Sequence, residues 1–201
     1  QRDTIDSTGD YYLPGTLKVV TRGYKEKDTG QYDHEEECFA ARAGAALYRR
    51  ELLEDIRLGT DFFDKKFFAY IEDIDLSIRA RLRGWKIMYA PRAVVYHKVA
   101  ATTKRISYVF RRYQSGRNRL FTAIKNYPIH WWPVVLRGRE SVDSDYRLTT
   151  KENIKLYLKI MASLVVTLPR LLIQRNIIQE RKTVTYQEMK QWRERFTIRG
   201  E

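Results

Sequence analysis

The stretch that decides the fold runs over residues 67–85 and reads FFAYIEDIDLSIRARLRGW. It carries apolar residues at the three- and four-residue spacing of one helix face, namely Ile71, Ile74, Ile78 and Leu82. Acids crowd the first turn and arginines the last, which suits the helix dipole, and Gly84 occupies the position of a C-terminal cap. The pattern predicts a helix whose mouth presents Glu72 and Asp73 behind an aromatic wall.

The three acids of this first turn have two readings. They can be residues that stabilise the helix N-terminus, or one of them can be a general base at the edge of a cleft. Asp75 falls near the apolar face and is spaced to pair with Arg79, so we assign it a capping or ion-pairing role. For Glu72 and Asp73 the pattern alone leaves both readings open.

Composition and charge limit the class of protein. The chain has 201 residues, of which 43% are hydrophobic and 13% aromatic, as expected of a folded protein with a sizeable core. The formal net charge of +13 predicts anionic partners, which can be nucleic acid, lipid head groups or a phosphorylated substrate. The single cysteine, Cys38, excludes an internal disulfide and is interpreted as a small buried residue.

Short strands and helices flank the central stretch. Residues 17–20 predict a short strand, and residues 51–56 predict a short helix. After the central helix, residues 85–90 and 93–97 read as two further strands. The succession of strand, helix and strand predicts an α/β domain that ends near residue 100.

The chain changes character at about residue 104. Residues 104–139 contain nine lysines and arginines and no acid, and residues 105–125 show a helical apolar pattern. A polar linker is predicted over residues 137–148, a long helix over 151–181 and a short one over 183–195. The uncharged run 160–169 is about half of the ~20 residues that cross a bilayer, so we expect a helix that lies on a membrane or packs against a neighbour.

The basic, aromatic region 104–139 has two interpretations. It can bind single-stranded nucleic acid, or it can meet anionic lipid with Trp131 and Trp132 at head-group depth and His130 in the same interfacial belt. The apolar helix that follows favours lipid, so we predict an anionic membrane surface and no nucleic acid as partner. In the alternative for that helix, its apolar face packs under the main domain through Leu156, Ile160, Leu164 and Leu168.

The spaced set of motifs resembles the second half of family 2 glycosyltransferases, in particular the bacterial rhamnosyltransferase-like branch that builds cell-surface polysaccharides. The central motif comprises residues 67–76, Arg79, 84–85, 89–91 and His97. Supporting segments are residues 6–9, 22–23, 31–33, 44–49, 117–119 and 125–128. The resemblance is continuous over about residues 1–130.

The resemblance implies the α/β GT-A fold, in which a Rossmann-like nucleotide-binding half precedes an acceptor-binding half. Residues 1–103 would be the acceptor-side part of the catalytic domain, and residues 104–201 would be C-terminal amphipathic helices. The implied reaction is an inverting transfer of a sugar from a nucleotide-sugar donor to a polysaccharide or lipid-linked glycan. The expected location is the cytoplasmic face of the membrane, as a peripheral protein.

The same resemblance implies roles for individual residues. Asp73 matches the general base that deprotonates the acceptor hydroxyl, and Glu72 would support it. The substrate-binding residues that it implies are Gly44, Ala45, Ala46, Trp85 and Arg117.

A divalent metal, Mg²⁺ or Mn²⁺, is expected through the family's D-x-D motif, and His97 falls where some members carry a metal-binding histidine. Residues upstream of position 40 hold no D-x-D, and the one spelled by Asp73 and Asp75 opens the helix. We therefore expect these 201 residues to be the C-terminal portion of a longer enzyme that is inactive by itself. His34, beside three glutamates, is interpreted as part of a solvated acidic loop.

Overall fold

The computed structural model describes residues 3–13, 16–97, 107–137 and 148–198. Its strands are β1 (Asp10–Tyr12), β2 (Val19–Thr21), β3 (Glu36–Glu37) and β4 (Met88–Tyr89). Its helices are α1 (Arg50–Asp55), α2 (Glu72–Leu82), α3 (Tyr108–Asn126), α4 (Trp132–Arg137), α5 (Thr150–Arg181) and α6 (Tyr186–Arg195). Two 3₁₀ turns cover Ala43–Ala45 and Ile129–Trp131. The mixture of helices and small sheets fits the predicted α/β class.

The strands form two antiparallel pairs. In the first, β1 pairs with β2 and Asp10 lies opposite Thr21; in the second, β3 pairs with β4 and Glu36 lies opposite Tyr89. The predicted strand over residues 17–20 is confirmed as β2. The strand predicted over residues 85–90 is observed only as β4, a two-residue strand that pairs with the two-residue strand β3.

The strand predicted over residues 93–97 is wrong. This segment is irregular, and Val94, Val95 and Tyr96 are exposed. Branched and aromatic residues favour a strand because they pack against cross-strand neighbours, and no strand in the described part of the chain pairs with this segment.

Helix α2 is confirmed and is buried on all sides. Its predicted apolar face, with Ile74, Ile78 and Leu82, enters the main core. The opposite face packs Leu76 and Ala80 against α1. The helix ends as predicted at a glycine with a positive φ of 83° and a Schellman pair of bonds, from Trp85 N to the carbonyl of residue 80 and from the glycine N to that of residue 81.

Helices α3 and α5 pack along each other. Phe121 of α3 and Leu171 of α5 share one buried cluster, and Leu156 and Ile160 lie in another with side chains of α3. Arg175 of α5 donates to carbonyls at the C-terminal end of α3, at 2.7 and 2.8 Å. For this face of α5, the packing alternative is therefore confirmed.

The main core continues across the predicted boundary near residue 103. It joins Phe39 and Ile78 to Tyr127 and Ile178, which come from the later helices. The boundary itself falls within residues 98–106, and most of the predicted linker falls within residues 138–147; both lie outside the described residues.

Trp131 belongs to this core and not to an interfacial belt. Only 5% of the residue is exposed, and its indole Nε1 donates to the Tyr186 hydroxyl at 3.1 Å. His130 stacks edge-on against the same tyrosine. Trp132 is half-buried, with the Arg175 guanidinium over its ring. The expectation that Trp131 lies at head-group depth is wrong because the first turn of α6 covers its ring.

Helix α5 has the length and composition of a membrane span. It is 32 residues long and includes a window with mean hydropathy 1.7, of which 17% is buried. Against this, Arg170 on the same helix reaches the buried Asp64 carboxylate at 3.0 Å. Arg170 and Arg175 bind α5 to the rest of the chain, so its length and composition do not by themselves make it a membrane span.

A buried ionic cluster joins α2, α3 and the loop before α2. Lys125 of α3 places its ammonium 3.0 Å from Asp64 and 3.0 Å from Asp75, and all three side chains are inaccessible to solvent. Asp75 also accepts from Arg79 at 3.0 Å and from Asn126 at 2.8 Å. The predicted pairing of Asp75 with Arg79 is confirmed as part of this larger cluster.

Substitution of Lys125 tests the cluster. Lys125→Met leaves two carboxylates buried without their shared cation, so we expect the free energy of unfolding to fall by about 3–5 kcal/mol. Urea denaturation followed by circular dichroism measures it. The matched control, Lys190→Met at an exposed position of α6, should change stability by less than about 0.5 kcal/mol. Equal effects of the two substitutions would contradict the assigned role.

Candidate functional site

The loop that leads into α2 has an unusual backbone. Phe68, Tyr70 and Ile71 all have positive φ, at 62°, 68° and 70°. None is glycine, and each such conformation costs about 1–3 kcal/mol, most for a branched residue such as Ile71. Strain of this kind persists only where the surroundings impose it, and it sits directly before Glu72 and Asp73.

Helix α3 holds this loop through one buried amide. Asn118 Nδ2 lies 3.0 Å from the carbonyl oxygen of Phe67, 2.9 Å from that of Ala69 and 2.7 Å from that of Tyr70. Gln114 also donates to the Phe67 carbonyl, at 3.3 Å. The strained loop is therefore bound to α3 before α2 begins, and we call this arrangement the amide clamp.

The aromatic residues before Glu72 do not form the continuous wall that was predicted. Phe67 is fully buried against Phe121, whereas Phe68 is exposed and meets the ring of Phe110 edge-on. Tyr70 is half-buried and is the aromatic residue that stays beside the acids.

Asp73 meets the predicted substrate-binding turn. Its Oδ2 accepts from the backbone N–H of Ala43 at 3.3 Å, across thirty positions of sequence. Gly44 and Ala45 follow in the same 3₁₀ turn and are exposed, and a Cβ added at Gly44 would meet no atom within 4 Å. The structure therefore brings Asp73 and the Gly44 turn together at the edge of open space.

Glu72 lies in a more buried environment than a surface acid. Burial raises its pKa, and the neighbouring charge of Asp73 adds to the effect. Its Oε2 is buried and makes no hydrogen bond to any described residue. A carboxyl group in this setting keeps its proton to higher pH than an exposed glutamate does.

Three residues near this pair were missed from the sequence. Tyr48 lies close enough for the charges of Asp73 and Glu72 to add to the burial that raises its pKa to about 12. Asp10 in β1 is buried, which raises its pKa, and Arg42 offsets this from 3.4 Å. Arg42 precedes Gly44 by two residues, and Tyr48 lies in the supporting segment 44–49, but neither was assigned a role from the sequence. Asp10 had no signal in the sequence.

The remaining predicted residues have other partners. Trp85 follows the C-terminal end of α2, whereas Asp73 lies in its first turn, and the Trp85 indole donates to Asp55 at 2.9 Å. Arg117 donates to the carbonyls of Lys66 and Phe67 at 2.7 and 3.2 Å and so supports the strained loop. Cys38 is buried, which raises its pKa to about 11, as fits a structural thiol.

The described residues do not fit a divalent-metal site. His97 pairs with Asp6, with Nδ1 and Oδ2 2.8 Å apart, but within the described ranges no three histidine, cysteine or acidic side chains converge. Asp75 of the D-x-D spelling is enclosed by Lys125 and Arg79. The metal role of His97 stays a prediction, and no chemical step below passes through a metal.

Comparison with known proteins supports what the acids and the turn indicate. Residues 20–118 match the family described as "Glycosyltransferase like family 2". This segment belongs to glycosyltransferase family 2. It contains the Gly44 turn, Glu72, Asp73 and Asn118, so the geometry described above is the geometry of a family 2 glycosyltransferase segment.

Two similar relatives are N-acetylglucosaminyl-diphospho-decaprenol L-rhamnosyltransferases of Mycobacterium tuberculosis, from strains CDC 1551 / Oshkosh and ATCC 25618 / H37Rv. Each is 31% identical over 47% of this chain. The match covers 33% of the relative, so the chain corresponds to about a third of the length of these curated relatives. These two matches confirm the predicted resemblance to the rhamnosyltransferase-like branch of the family. No solved structure matches the chain significantly.

The amide clamp can be tested directly. Asn118→Ala removes the side-chain donor from the carbonyls of Ala69 and Tyr70, whereas the Phe67 carbonyl still accepts from Gln114 and Arg117. We expect a loss of about 2–3 kcal/mol in the free energy of unfolding. We also expect faster amide hydrogen exchange in residues 68–72, measured by mass spectrometry.

Asn176→Ala, at an exposed position of α5, is the matched control and should change neither quantity. Unchanged exchange of residues 68–72 in Asn118→Ala would show that the loop keeps its conformation without the clamp.

Proposed function

We propose that the chain contributes the acceptor side of an inverting glycosyltransferase of the GT-A type, with Asp73 as general base. The donor would be a nucleotide-sugar and the acceptor a polysaccharide or lipid-linked glycan. The observation that carries the proposal is the contact of Asp73 with the Ala43 N–H, which places a carboxylate between the start of α2 and an exposed turn. The names of the two relatives, which include a diphospho-decaprenol acceptor and a rhamnosyl donor group, support the same class of reaction.

In this reaction the acceptor hydroxyl gives its proton to a carboxylate oxygen of Asp73 while the hydroxyl oxygen attacks the anomeric carbon. The bond from that carbon to the donor phosphate breaks, and the nucleoside diphosphate leaves with the electron pair. Arg42, half-exposed two residues before Gly44, offers a positive charge near the turn. Glu72, with its raised pKa, supports the base from the buried side.

The partial exposure of Asp73 is what suits it to this role. Asp75, two positions later, is fully enclosed by cations and has no access to a substrate. Among the described residues, the donors to the Asp73 carboxylate are backbone N–H groups, those of Ile74 at 2.9 Å and of Ala43 at 3.3 Å. Its carboxylate therefore keeps capacity to accept a further proton or hydrogen bond from a hydroxyl group.

Asp73→Asn in the complete gene product tests the base assignment. The amide keeps the shape and can still accept from Ala43 N–H, but it cannot take the proton, so turnover should fall about 10²–10⁴-fold. Transfer from nucleotide-sugar to a lipid-linked acceptor would be followed by product chromatography.

Donor binding and thermal stability should be kept in this variant. Asp33→Asn, at an exposed loop position, is the matched control with normal turnover. Turnover of Asp73→Asn within a factor of three of the unsubstituted enzyme would refute the assignment.

We also propose that the protein lies on the cytoplasmic face of a membrane as a peripheral protein. The support is the outer face of α5, where apolar residues recur on one side of the helix and are exposed: Ile154, Leu158, Val165 and Leu172. Exposed lysines, Lys151 and Lys155, accompany this stripe near its N-terminal end. The net charge of +13 complements the anionic lipids of the cytoplasmic leaflet.

Liposome flotation tests this surface. With vesicles that contain anionic lipid, we expect the protein to float, and Val165→Gln/Leu172→Gln should reduce the floating fraction several-fold because the stripe loses apolar contact. The matched control is Val94→Gln/Val95→Gln, which alters two exposed valines outside α5. Recovery of the unsubstituted protein wholly in the soluble fraction would refute the proposal.

A further inference from the structure

A cavity of about 330 Å³ lies between β2, the first half of α2 and α3, along most of the length of α3. Its floor is apolar and is formed by Leu17, Val19, Ile74 and Ile78. Cavities of this size hold ligands or parts of ligands when a few polar groups converge on them. The proposed reaction assigns no role to this cavity.

The polar groups that converge on this cavity are cationic. Lys18, Arg111, Arg112 and Arg119 line it, and none of the described residues that line it is acidic. Charged side chains of one sign around a partly apolar cavity create a site for an anion of opposite charge. The arrangement suits a phosphate group, which accepts several hydrogen bonds from guanidinium groups.

Two groups in the wall have unused hydrogen-bonding capacity. Within the described residues, the buried Nε of Arg111 donates to no atom, and the buried Oγ1 of Thr122 has no hydrogen-bond partner. Buried donors without a partner are costly in a folded protein, and a bound anion would satisfy both. These atoms point to a ligand more specifically than the charges alone.

The cavity adjoins the catalytic acids. Tyr70 and Ile71 line it and directly precede Glu72 and Asp73. The phenol of Tyr70 lies within electrostatic range of both Arg111 and Glu72, and its buried hydroxyl has no hydrogen-bond partner in the part of the chain that the structure describes. A ligand in the cavity would therefore extend from the cationic wall toward the general base.

We propose that this cavity binds the diphosphate and the first apolar segment of a lipid-diphosphate acceptor. The proposal rests on the proposed function and assigns a place to the acceptor. Its diphosphate lies against Arg111 and the neighbouring cations, and its apolar chain lies on the aliphatic floor. The sugar carried on the diphosphate then reaches past Tyr70 toward Asp73.

A nucleotide-sugar also carries a diphosphate, so the two sources must be distinguished. The floor favours the lipid, because aliphatic side chains bury an apolar chain well and offer no hydrogen bonds to the edge of a nucleobase. Among the described residues, the lining includes Tyr70 and Ile71 of the strained loop and no residue of the Gly44 turn, where the proposed reaction takes place. The cavity thus suits the acceptor side of the site.

Titration calorimetry with four probes tests the proposal on the folded protein. Farnesyl diphosphate carries both parts of the ligand, inorganic pyrophosphate only the anion, farnesol only the chain, and UDP the alternative source of a diphosphate. We expect farnesyl diphosphate to bind at least about tenfold more tightly than pyrophosphate or farnesol. Arg111→Gln should weaken farnesyl diphosphate about tenfold and leave UDP unchanged.

Arg50→Gln, at an exposed position of α1, is the matched control and should leave all four affinities unchanged. Arg111→Lys, which keeps the charge, should recover part of the affinity for farnesyl diphosphate. This recovery would show that position 111 can be substituted without loss of the fold. Unchanged binding of farnesyl diphosphate to Arg111→Gln would overturn the proposal, and so would a selective loss of UDP binding.

The outcome is separable from that of the proposed function. Asp73→Asn removes the base but does not touch the cavity, so it should bind farnesyl diphosphate normally. If Asp73→Asn retains turnover while Arg111→Gln loses the lipid diphosphate, the base assignment fails and the cavity assignment stands. If Asp73→Asn is inactive while Arg111→Gln binds farnesyl diphosphate normally, the base assignment stands and the cavity assignment fails.

Discussion

The burial of Lys125 between Asp64 and Asp75 is the constraint on which the rest of the structure depends. All three charges lie out of contact with water, where an unpaired charge is costly, so the three elements that carry them must meet in one geometry. Through this cluster α2, α3 and the loop before α2 become one unit. Helix α5 joins it through Arg170, which adds a second cation to Asp64.

That unit explains how a strained loop can persist beside the candidate base. Once α3 is fixed, Asn118 is placed to bind three backbone carbonyls of the loop, and the positive φ values of Tyr70 and Ile71 are imposed from outside. The loop then delivers Glu72 to the buried side and Asp73 to the open side. Two adjacent carboxylates with different environments are what an acid–base site requires.

Much of the candidate site could be predicted, but only the part that lies in motifs. Glu72, Asp73 and the Gly44 turn came from the spaced family pattern, and the structure brings them together. The proximity of Tyr48 and Asp10 to Asp73 could not be predicted, because it arises from packing between segments distant in sequence. Interpretation of region 104–139 from composition alone placed Trp131 at a surface, although its ring is covered by α6.

The sequence by itself determined the helices, the glycine that ends α2 and the family, because these depend on local periodicity, capping and motif spacing. Only the tertiary structure decided that α2 is buried on both faces, that Lys125 and Asn126 join Arg79 in enclosing Asp75, and that Asp73 stays accessible. Burial depends on which elements pack together over long distances in sequence. Asp73 and Asp75 are the same residue type two positions apart, and their environments differ because Lys125, fifty positions from Asp75, reaches only Asp75.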